Sequence, residues 1–377
     1  MLQKLRDLMR SKGIDAAIFP QTDPHQSEYI ADHWQVRRWL SGFTGSAGSL
    51  VVTQKEAYVW ADSRYWLQAA AQLDGTGIAV MEEGKPEVPS ITAWLSDNLS
   101  AGQTVAIHGM LFSIDATEEL QRQLGAAGIT LDTGFDAAGA LWTDRPAMPD
   151  APVFVHDVKY AGEEPSSKIA TILAEISRSG ANARFISDLA EIAWTLNIRS
   201  RDVESNPVAI SFLYLSATGS TLFIDPRKIT PEVSAHLTAC GIATLPYDRA
   251  LPFLASLPET ARVLVSPTQT AGDVARTLGP QRTIRQASPV AMLKGCKNDI
   301  QIEGIRQAMR RDGAALVKAF IHIEADIAAS RRLTEMDIAD ILTRYRSEQP
   351  LYFDQSFDTI AGYGPHGAIV HYSATPD

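Results

Sequence analysis

The segment SLVVTQKEAYVWAD, residues 49–62, contains two runs of β-branched and aromatic residues joined by the polar tripeptide Gln54-Lys55-Glu56. Such runs around a short polar turn predict two neighbouring strands, at 49–53 and 57–60. A short apolar run at 16–19 predicts a further buried strand upstream of them. These strands form the centre of the predicted fold.

Helical patterns alternate with the strands. An amphipathic pattern at the N-terminus ends at Gly13, where a helix C-cap belongs, and Ser90 stands where an N-cap precedes a second apolar stripe. Asp115 and Glu118 form a predicted capping-box pair ahead of a third helix. This alternation of strands and helices predicts an α/β domain.

The same pattern returns in the second part of the chain. Val59-Trp60-Ala61-Asp62 matches Leu222-Phe223-Ile224-Asp225 at an offset of 163 residues, and Arg10-Ser11-Lys12-Gly13 matches Arg178-Ser179-Gly180 at a similar offset. A spacing that persists across two landmarks indicates two copies of one α/β domain.

A proline-rich seam separates the two copies, because residues 144–152 contain Pro146, Pro149 and Pro152. From about Lys297 a long helical pattern begins, and Thr334 and Asp337 are predicted to cap another helix after it. Predicted strands follow at 357–360 and 368–372. We therefore expect a first α/β domain, a linker, a second α/β domain and the beginning of a third domain, at 1–143, 144–160, 161–295 and 296–377.

The composition excludes several classes of protein. The chain has 377 residues, 45% of them hydrophobic, and a formal charge of −10. Such an acidic chain is not drawn to nucleic acid or to anionic membranes by its net field. We expect neither partner, and no window is apolar enough for a transmembrane helix. Cys240 and Cys296 form no disulfide framework, which favours a reducing compartment.

Two glycine- and arginine-containing segments resemble binding elements but are better interpreted as structural. The run GFTGSAG at 42–48 looks like a phosphate-binding loop, yet a strand follows it, whereas a phosphate cradle needs a helix N-terminus. We therefore predict a tight turn. Arg37 and Arg38 are interpreted as a surface pair. The segments around Trp142 and Trp194 are interpreted as domain-packing elements.

Arg64 and His371 are the candidate site residues. Arg64 follows a strand at a strand-to-helix junction, where its planar fork can bind a carboxylate or a peptide carbonyl. The alternatives are an ion pair with Asp62 or a solvated position at the start of a helix. His371 ends the apolar run Ala368-Ile369-Val370 after a glycine-rich turn. A rigid strand end is a place where functional side chains are held.

Seven segments in order resemble the Xaa-Pro aminopeptidases, the aminopeptidase P family, in its three-domain form. They are SEYIA (27–31), SGFTGSAG (41–48), DSRYWLQAA (62–70), WTDRP (142–146), EIAWTLNIR (191–199), DVESNPV (202–208) and GPHGAIVHY (364–372). The resemblance covers essentially the whole chain. It implies two creatinase-type N-terminal α/β domains, with mixed sheets and flanking helices, followed by a pita-bread α+β catalytic domain.

The resemblance also implies an activity and a site. Family members remove the N-terminal residue from peptides in which proline is second, using two divalent ions, typically manganese. By resemblance, His371 contacts the scissile peptide and Arg64 contacts the bound peptide. It further implies a cytoplasmic homodimer.

The family's five metal ligands lie downstream of the segment that ends in His371-Tyr372, and Asp377 falls short of the first ligand position. We therefore expect this chain to lack the metal side of the site, to bind no metal pair and to be inactive by itself, as part of a longer enzyme. Two alternatives stay open: a metal-free amidinohydrolase resembling creatinase, and a non-catalytic peptide-binding module.

Overall fold

A computed structural model describes residues 1–376, so that Asp377 lies outside the described residues. The chain divides into two compact units. Unit 1 comprises Met1–His156 and Glu163–Cys296, and unit 2 comprises Asp157–Gly162 and the chain from Lys297 onward. The predicted domain boundaries at 143, 160 and 295 stay predictions.

The first half of unit 1, here called domain I, is built on a six-stranded sheet. Its strands are β1 (Ala16–Phe19), β2 (Ser49–Thr53), β3 (Ala57–Ala61), β4 (Ala79–Glu82), β5 (Thr104–Ala106) and β6 (Thr130–Asp132). Its helices are α1 (Leu2–Ser11), α2 (Val36–Ser41), α3 (Trp66–Leu73), α4 (Ile91–Asn98), α5 (Ile114–Ala126) and α6 (Ala137–Leu141). The strand order is β4-β3-β2-β1-β5-β6, with antiparallel pairs at the centre and parallel pairs outside.

The second half of unit 1, domain II, repeats this arrangement. Its strands are β7 (Phe154–Val155), β8 (Ala183–Ile186), β9 (Ile198–Arg199), β10 (Phe212–Ser216), β11 (Ser220–Phe223), β12 (Ile242–Leu245), β13 (Val263–Val265) and β14 (Thr283–Arg285). The six-stranded sheet has the order β12-β11-β10-β8-β13-β14, while β7 and β9 form a separate ribbon. Because this order matches that of domain I strand for strand, the predicted fold class and the predicted duplication are confirmed.

The remaining helices are α7 (Val158–Ala161), α8 (Pro165–Arg178), α9 (Leu189–Leu196), α10 (Pro231–Ala239), α11 (Ala250–Ser256), α12 (Gly272–Leu278), α13 (Pro289–Gly295), α14 (Asp299–Ala328) and α15 (Glu335–Ser347). Of these, α7, α14 and α15 belong to unit 2. None of the helices among residues 1–376 combines the length and the hydropathy that a membrane span requires.

Alternating strand residues build a core on both faces of the first sheet. Leu50 and Val52 pack in one cluster with α1 and α3, whereas Val51 between them packs in a second cluster with α4. This follows from the two-residue period of a strand, which sends successive side chains to opposite faces. The helices thus cover both faces.

The predicted helix starts are mostly confirmed. Ser90 accepts a hydrogen bond from Ala93 N–H at the start of α4, and Thr334 forms a capping box with Asp337 at the start of α15. The capping box predicted for Asp115 and Glu118 is wrong, because the N-cap of α5 is Ser113, two residues before Asp115.

His25 joins the two domains of unit 1. Its side chain lies 2.9 Å from the Ser187 carbonyl oxygen through Nδ1 and 2.9 Å from the Tyr247 hydroxyl through Nε2, and the residue is only 2% exposed. Since a carbonyl can only accept, Nδ1 carries the proton and Nε2 accepts from the Tyr247 hydroxyl. Burial lowers the pKa of His25, and the Asp23 carboxylate opposes this shift.

We expect His25 to make the stability of unit 1 fall in acid. In the unfolded chain the His25 imidazole takes up a proton near pH 6.5, whereas the buried imidazole of the folded chain does so only at lower pH. The free energy of unfolding therefore decreases as the pH falls below about 6.5, by at most about 1.4 kcal/mol per pH unit. Urea unfolding across this range measures the slope. In His25→Gln the slope should be shallower, and an unchanged slope would contradict the assignment.

Candidate functional site

Arg64 lies in the turn that follows β3, held by Asp62. Its Nε and Nη2 donate to the two carboxylate oxygens of Asp62 at 2.8 Å each, and its backbone N–H donates to the same carboxylate. The side chain is 43% exposed. The bonds to Asp62 raise the pKa of Arg64 further above its ordinary value. The ion pair with Asp62 is thus present, and it leaves the outer edge of the guanidinium toward solvent.

Domain II contains the same pair at the equivalent place. Arg227 donates through Nη2 to Asp225 at 2.6 Å, and the Arg227 backbone N–H also binds this carboxylate. The offset is again 163 residues. Both domains therefore have an Asp-x-Arg pair after the equivalent strand. The ion pair with Asp62 alone does not show that Arg64, rather than Arg227, contacts a peptide.

Arg37 is buried, and its prediction as part of a surface pair is wrong. Its side chain has no exposed area and donates to the carbonyl oxygens of Gly45, Ala47 (2.6 Å) and Gly48 (3.1 Å). Desolvation lowers the pKa of Arg37 to about 10, so it stays charged at neutral pH. The loop at 43–48 is accordingly a structural turn wrapped around a cation, as predicted in preference to a phosphate loop.

His371 lies in unit 2 in an exposed turn. The predicted strands at 357–360 and 368–372 are wrong: a 3₁₀ helix occupies Gly364–Ala368, and the turn follows it. A strand needs a neighbour to pair its backbone groups, and the described part of unit 2 contains only helices and irregular segments. Arg64 belongs to unit 1 and His371 to unit 2.

Glu335 organises the segment that carries His371. Its carboxylate accepts from the Tyr363 backbone N–H at 2.6 Å and from the Tyr372 hydroxyl at 2.7 Å, and lies 3.0 Å from His366 Nδ1. The Tyr372 hydroxyl, followed by the other donors, lowers the pKa of Glu335. Sequence reasoning missed this residue, although its place in the first turn of α15, after a capping threonine, marks it as an acidic helix-start residue.

The segments around Trp142 and Trp194 are packing elements, as predicted. Trp194 and Asn197 end α9, where the Lys168 ammonium donates to the Trp194 carbonyl at 2.8 Å and to the Asn197 side chain at 2.6 Å. Trp142 stacks on Trp39 with ring centroids 4.8 Å apart. These contacts pack helices and stabilise the fold.

A buried charge pair lies in domain II. The Lys228 ammonium donates to Asp202, whose Oδ2 also accepts from the Ile210 backbone N–H at 2.6 Å. Both side chains are essentially unexposed. Burial raises the pKa of Asp202, and the Lys228 charge opposes that shift.

Among residues 1–376, no cluster of three or more His, Cys, Asp or Glu side chains is arranged to hold a metal ion. The acidic residues near the candidate site are engaged singly: Asp62 binds Arg64, and Glu335 binds the 363–372 segment. A metal pair therefore does not fit the described donor set.

Comparison with known family models divides the chain into three matched regions. Residues 1–135 and residues 144–301 each match a Creatinase/Prolidase N-terminal domain, and residues 303–377 match Metallopeptidase family M24. The two creatinase-type matches coincide with the two sheets of unit 1. The third match covers most of α14, all of α15 and the segment with His371.

Individual relatives match nearly the whole chain. Aminopeptidase P2 of Arabidopsis thaliana is 37% identical over 97% of this chain and 56% of its own length. Xaa-Pro aminopeptidase app-1 of Caenorhabditis elegans is 32% identical over 98% of this chain and 61% of its own length. The chain thus spans about three fifths of the length of the curated relatives it matches.

A solved structure confirms the architecture. The crystal structure of X-prolyl aminopeptidase from Caenorhabditis elegans, described as a cytosolic enzyme with a di-nuclear active site, superposes with a TM-score of 0.94 at 32% identity. The superposition covers 98% of this chain and 63% of the solved chain. The chain is therefore similar over nearly its whole length to Xaa-Pro aminopeptidases, and it has two regions that match Creatinase/Prolidase N-terminal domains and one that matches Metallopeptidase family M24.

Proposed function

We propose that the whole protein removes the N-terminal residue from peptides in which proline is the second residue. The observation that supports this most directly is the superposition of nearly the whole chain on an X-prolyl aminopeptidase with a TM-score of 0.94. The names of the relatives agree with it and favour it over a creatinase-type amidinohydrolase or a non-catalytic module. Proline explains the need for a dedicated enzyme, since its tertiary amide lacks the N–H that ordinary peptidases engage.

In this proposal the chain supplies the side of the site that contacts the peptide. Arg64 presents donors beyond those bound to Asp62 and holds a carbonyl or carboxylate oxygen of the peptide. His371 hydrogen-bonds the scissile peptide and exchanges a proton there, a task suited to an imidazole near neutral pH.

The metal pair is part of the proposal for the whole protein only. A relative with a di-nuclear active site supports two divalent ions, and we propose manganese. When bound, such ions polarise the scissile carbonyl and activate water. Since the described residues offer no donor set, we assign no step to the ions and propose that the 377 residues by themselves bind no pair and have no turnover. We further propose a cytoplasmic homodimer.

The proposal is tested by comparing the 377-residue chain with the protein expressed from its complete reading frame. Both are dialysed against Mn²⁺ and assayed on an Xaa-Pro peptide and on the matched Xaa-Ala peptide. We expect the complete protein to hold about two ions and to cleave the Xaa-Pro peptide preferentially. Preference for Xaa-Ala, or stoichiometric manganese and turnover by the 377-residue chain, would overturn the proposal.

Replacing Arg64 tests its role in peptide binding. Loss of a hydrogen bond from a charged group costs about 1.5–3 kcal/mol, so Arg64→Ala should raise the KM of the complete protein about tenfold to hundredfold, with little change in kcat. Arg227→Ala is the matched control, since it removes the same kind of Asp-x-Arg pair from domain II. Equal effects of both variants would contradict the role of Arg64.

A further inference from the structure

Within residues 1–376 the buried Arg37 guanidinium forms no ion pair with a carboxylate, and its hydrogen bonds go to backbone carbonyls of the loop at 43–48. We propose that Arg37 and Ser46 are positioning residues for Arg64, acting through the ring of Tyr65. This rests on the proposed contact between Arg64 and the peptide. A chain of contacts runs from the buried Arg37 through the loop and the Tyr65 ring to the exposed Arg64.

The first step fixes the loop. The Arg37 guanidinium bonds three carbonyls and lies over the Phe43 ring, 4.6 Å from its centroid. The three residues precede β2, so the sheet does not pair their carbonyls. The buried guanidinium, which has several N–H donors, supplies the hydrogen bonds that these carbonyls need. The loop backbone is thereby held in one conformation.

The second step transmits this conformation to Tyr65. The Ser46 hydroxyl lies 2.6 Å from the Tyr65 hydroxyl, and Tyr65 is buried. Gly45 is wedged against the same ring: a Cβ there would lie 2.4 Å from Phe43 Cζ and 2.8 Å from Tyr65 Cδ1. The absence of a side chain at Gly45 therefore lets the loop backbone touch the ring and set its position.

The third step reaches Arg64. Its guanidinium carbon lies 5.1 Å from the centroid of the Tyr65 ring, while Asp62 binds the edge of the same group. Arginine is long and loses considerable side-chain entropy when ordered. A ring beneath the fork and a carboxylate at its edge order it before the peptide arrives, which favours binding.

Domain II provides an internal comparison. The residue 163 positions after Tyr65 is Lys228, which is buried against Asp202. In domain II the neighbouring loop is held by a hydrogen bond from the Ile210 backbone N–H to the Asp202 carboxylate. The Asp-x-Arg pair is common to both copies, whereas the aromatic ring and its serine partner stand beside the arginine that we assign to the peptide.

The test uses the complete Mn²⁺-loaded protein and removes the hydrogen bond between the Ser46 and Tyr65 hydroxyls by changing one partner at a time. Tyr65→Phe and Ser46→Ala each delete the same contact, so each should raise the KM for an Xaa-Pro peptide about threefold to tenfold, and the double variant should raise it no further. In the Arg64→Ala background neither substitution should change KM. The matched control, Thr22→Ala, deletes a side-chain hydrogen bond elsewhere in domain I.

The outcomes separate this proposal from the function on which it rests. If Arg64→Ala raises KM while Tyr65→Phe and Ser46→Ala only lower the thermal midpoint, the positioning role is wrong and the binding role stands. If Arg64→Ala leaves KM unchanged, the binding role itself fails. Additive effects of Tyr65→Phe and Arg64→Ala would also overturn the positioning role.

Discussion

Replacing His371 by alanine should reduce the kcat of the complete enzyme about 10²–10⁴-fold, with a smaller effect on KM. This is the range for loss of a positioned side chain that transfers a proton in the transition state. His371→Gln keeps a hydrogen-bonding group but cannot exchange the proton, so we expect it to recover little activity. Steady-state kinetics on an Xaa-Pro peptide measure both variants.

Stability and a second histidine provide the controls for this prediction. His371 is exposed, so both variants should keep the thermal midpoint of the parent. His322→Gln, which changes a histidine of unit 2 that lies 3.3 Å from Asp326, should leave kcat within about twofold of the parent. A His371→Ala enzyme with parental kcat would remove His371 from the chemistry.

Replacing Asp202 by alanine should destabilise unit 1 by about 3–5 kcal/mol. The substitution leaves the Lys228 ammonium buried without its counter-charge and the Ile210 N–H without its acceptor. An uncompensated buried charge is among the largest single costs that a point substitution can cause. Urea unfolding of the 377-residue chain, followed by circular dichroism, measures the loss.

Two further variants show that the cost comes from the unpaired charge. Removing both charges in Asp202→Leu with Lys228→Met should cost less than the sum of the single changes, because neither charge is then left unpaired. Asp225→Ala, which breaks the exposed pair with Arg227, should cost no more than about 1 kcal/mol. A similar loss for Asp202→Ala and Asp225→Ala would contradict the argument.

Much of the fold could be predicted because it is encoded locally. The runs at 49–53 and 57–60 form β2 and β3, and Thr230 caps α10 as its Thr-Pro start indicates. The duplication was visible because Asp62 and Asp225 follow equivalent strands, β3 and β11. By contrast, the run at 368–370 has no partner strand within residues 1–376, and a three-residue apolar run by itself does not distinguish a strand from a 3₁₀ helix or a turn.

The candidate site was less predictable because its geometry depends on distant backbone groups. Arg37 occurs next to another arginine in a six-residue helix, which has too few positions for its buried face to show a period. Its partners are carbonyl oxygens, which every residue has and no sequence motif marks. Glu335 was missed for the same reason, since one of its partners is the Tyr363 backbone N–H.

The strand order of each sheet also determines the sequence of events while the chain is being made. Ala16 in β1 lies opposite Thr53 in β2 on one side and opposite Val105 in β5 on the other. The ribosome delivers about 5–20 residues per second, so β5 emerges roughly 3–10 s after β2. We expect β1, β2 and β3 to assemble first, with one edge of β1 open to chaperones or to a neighbouring nascent chain during that interval. Domain II repeats the same exposure at β8, whose second partner is β13.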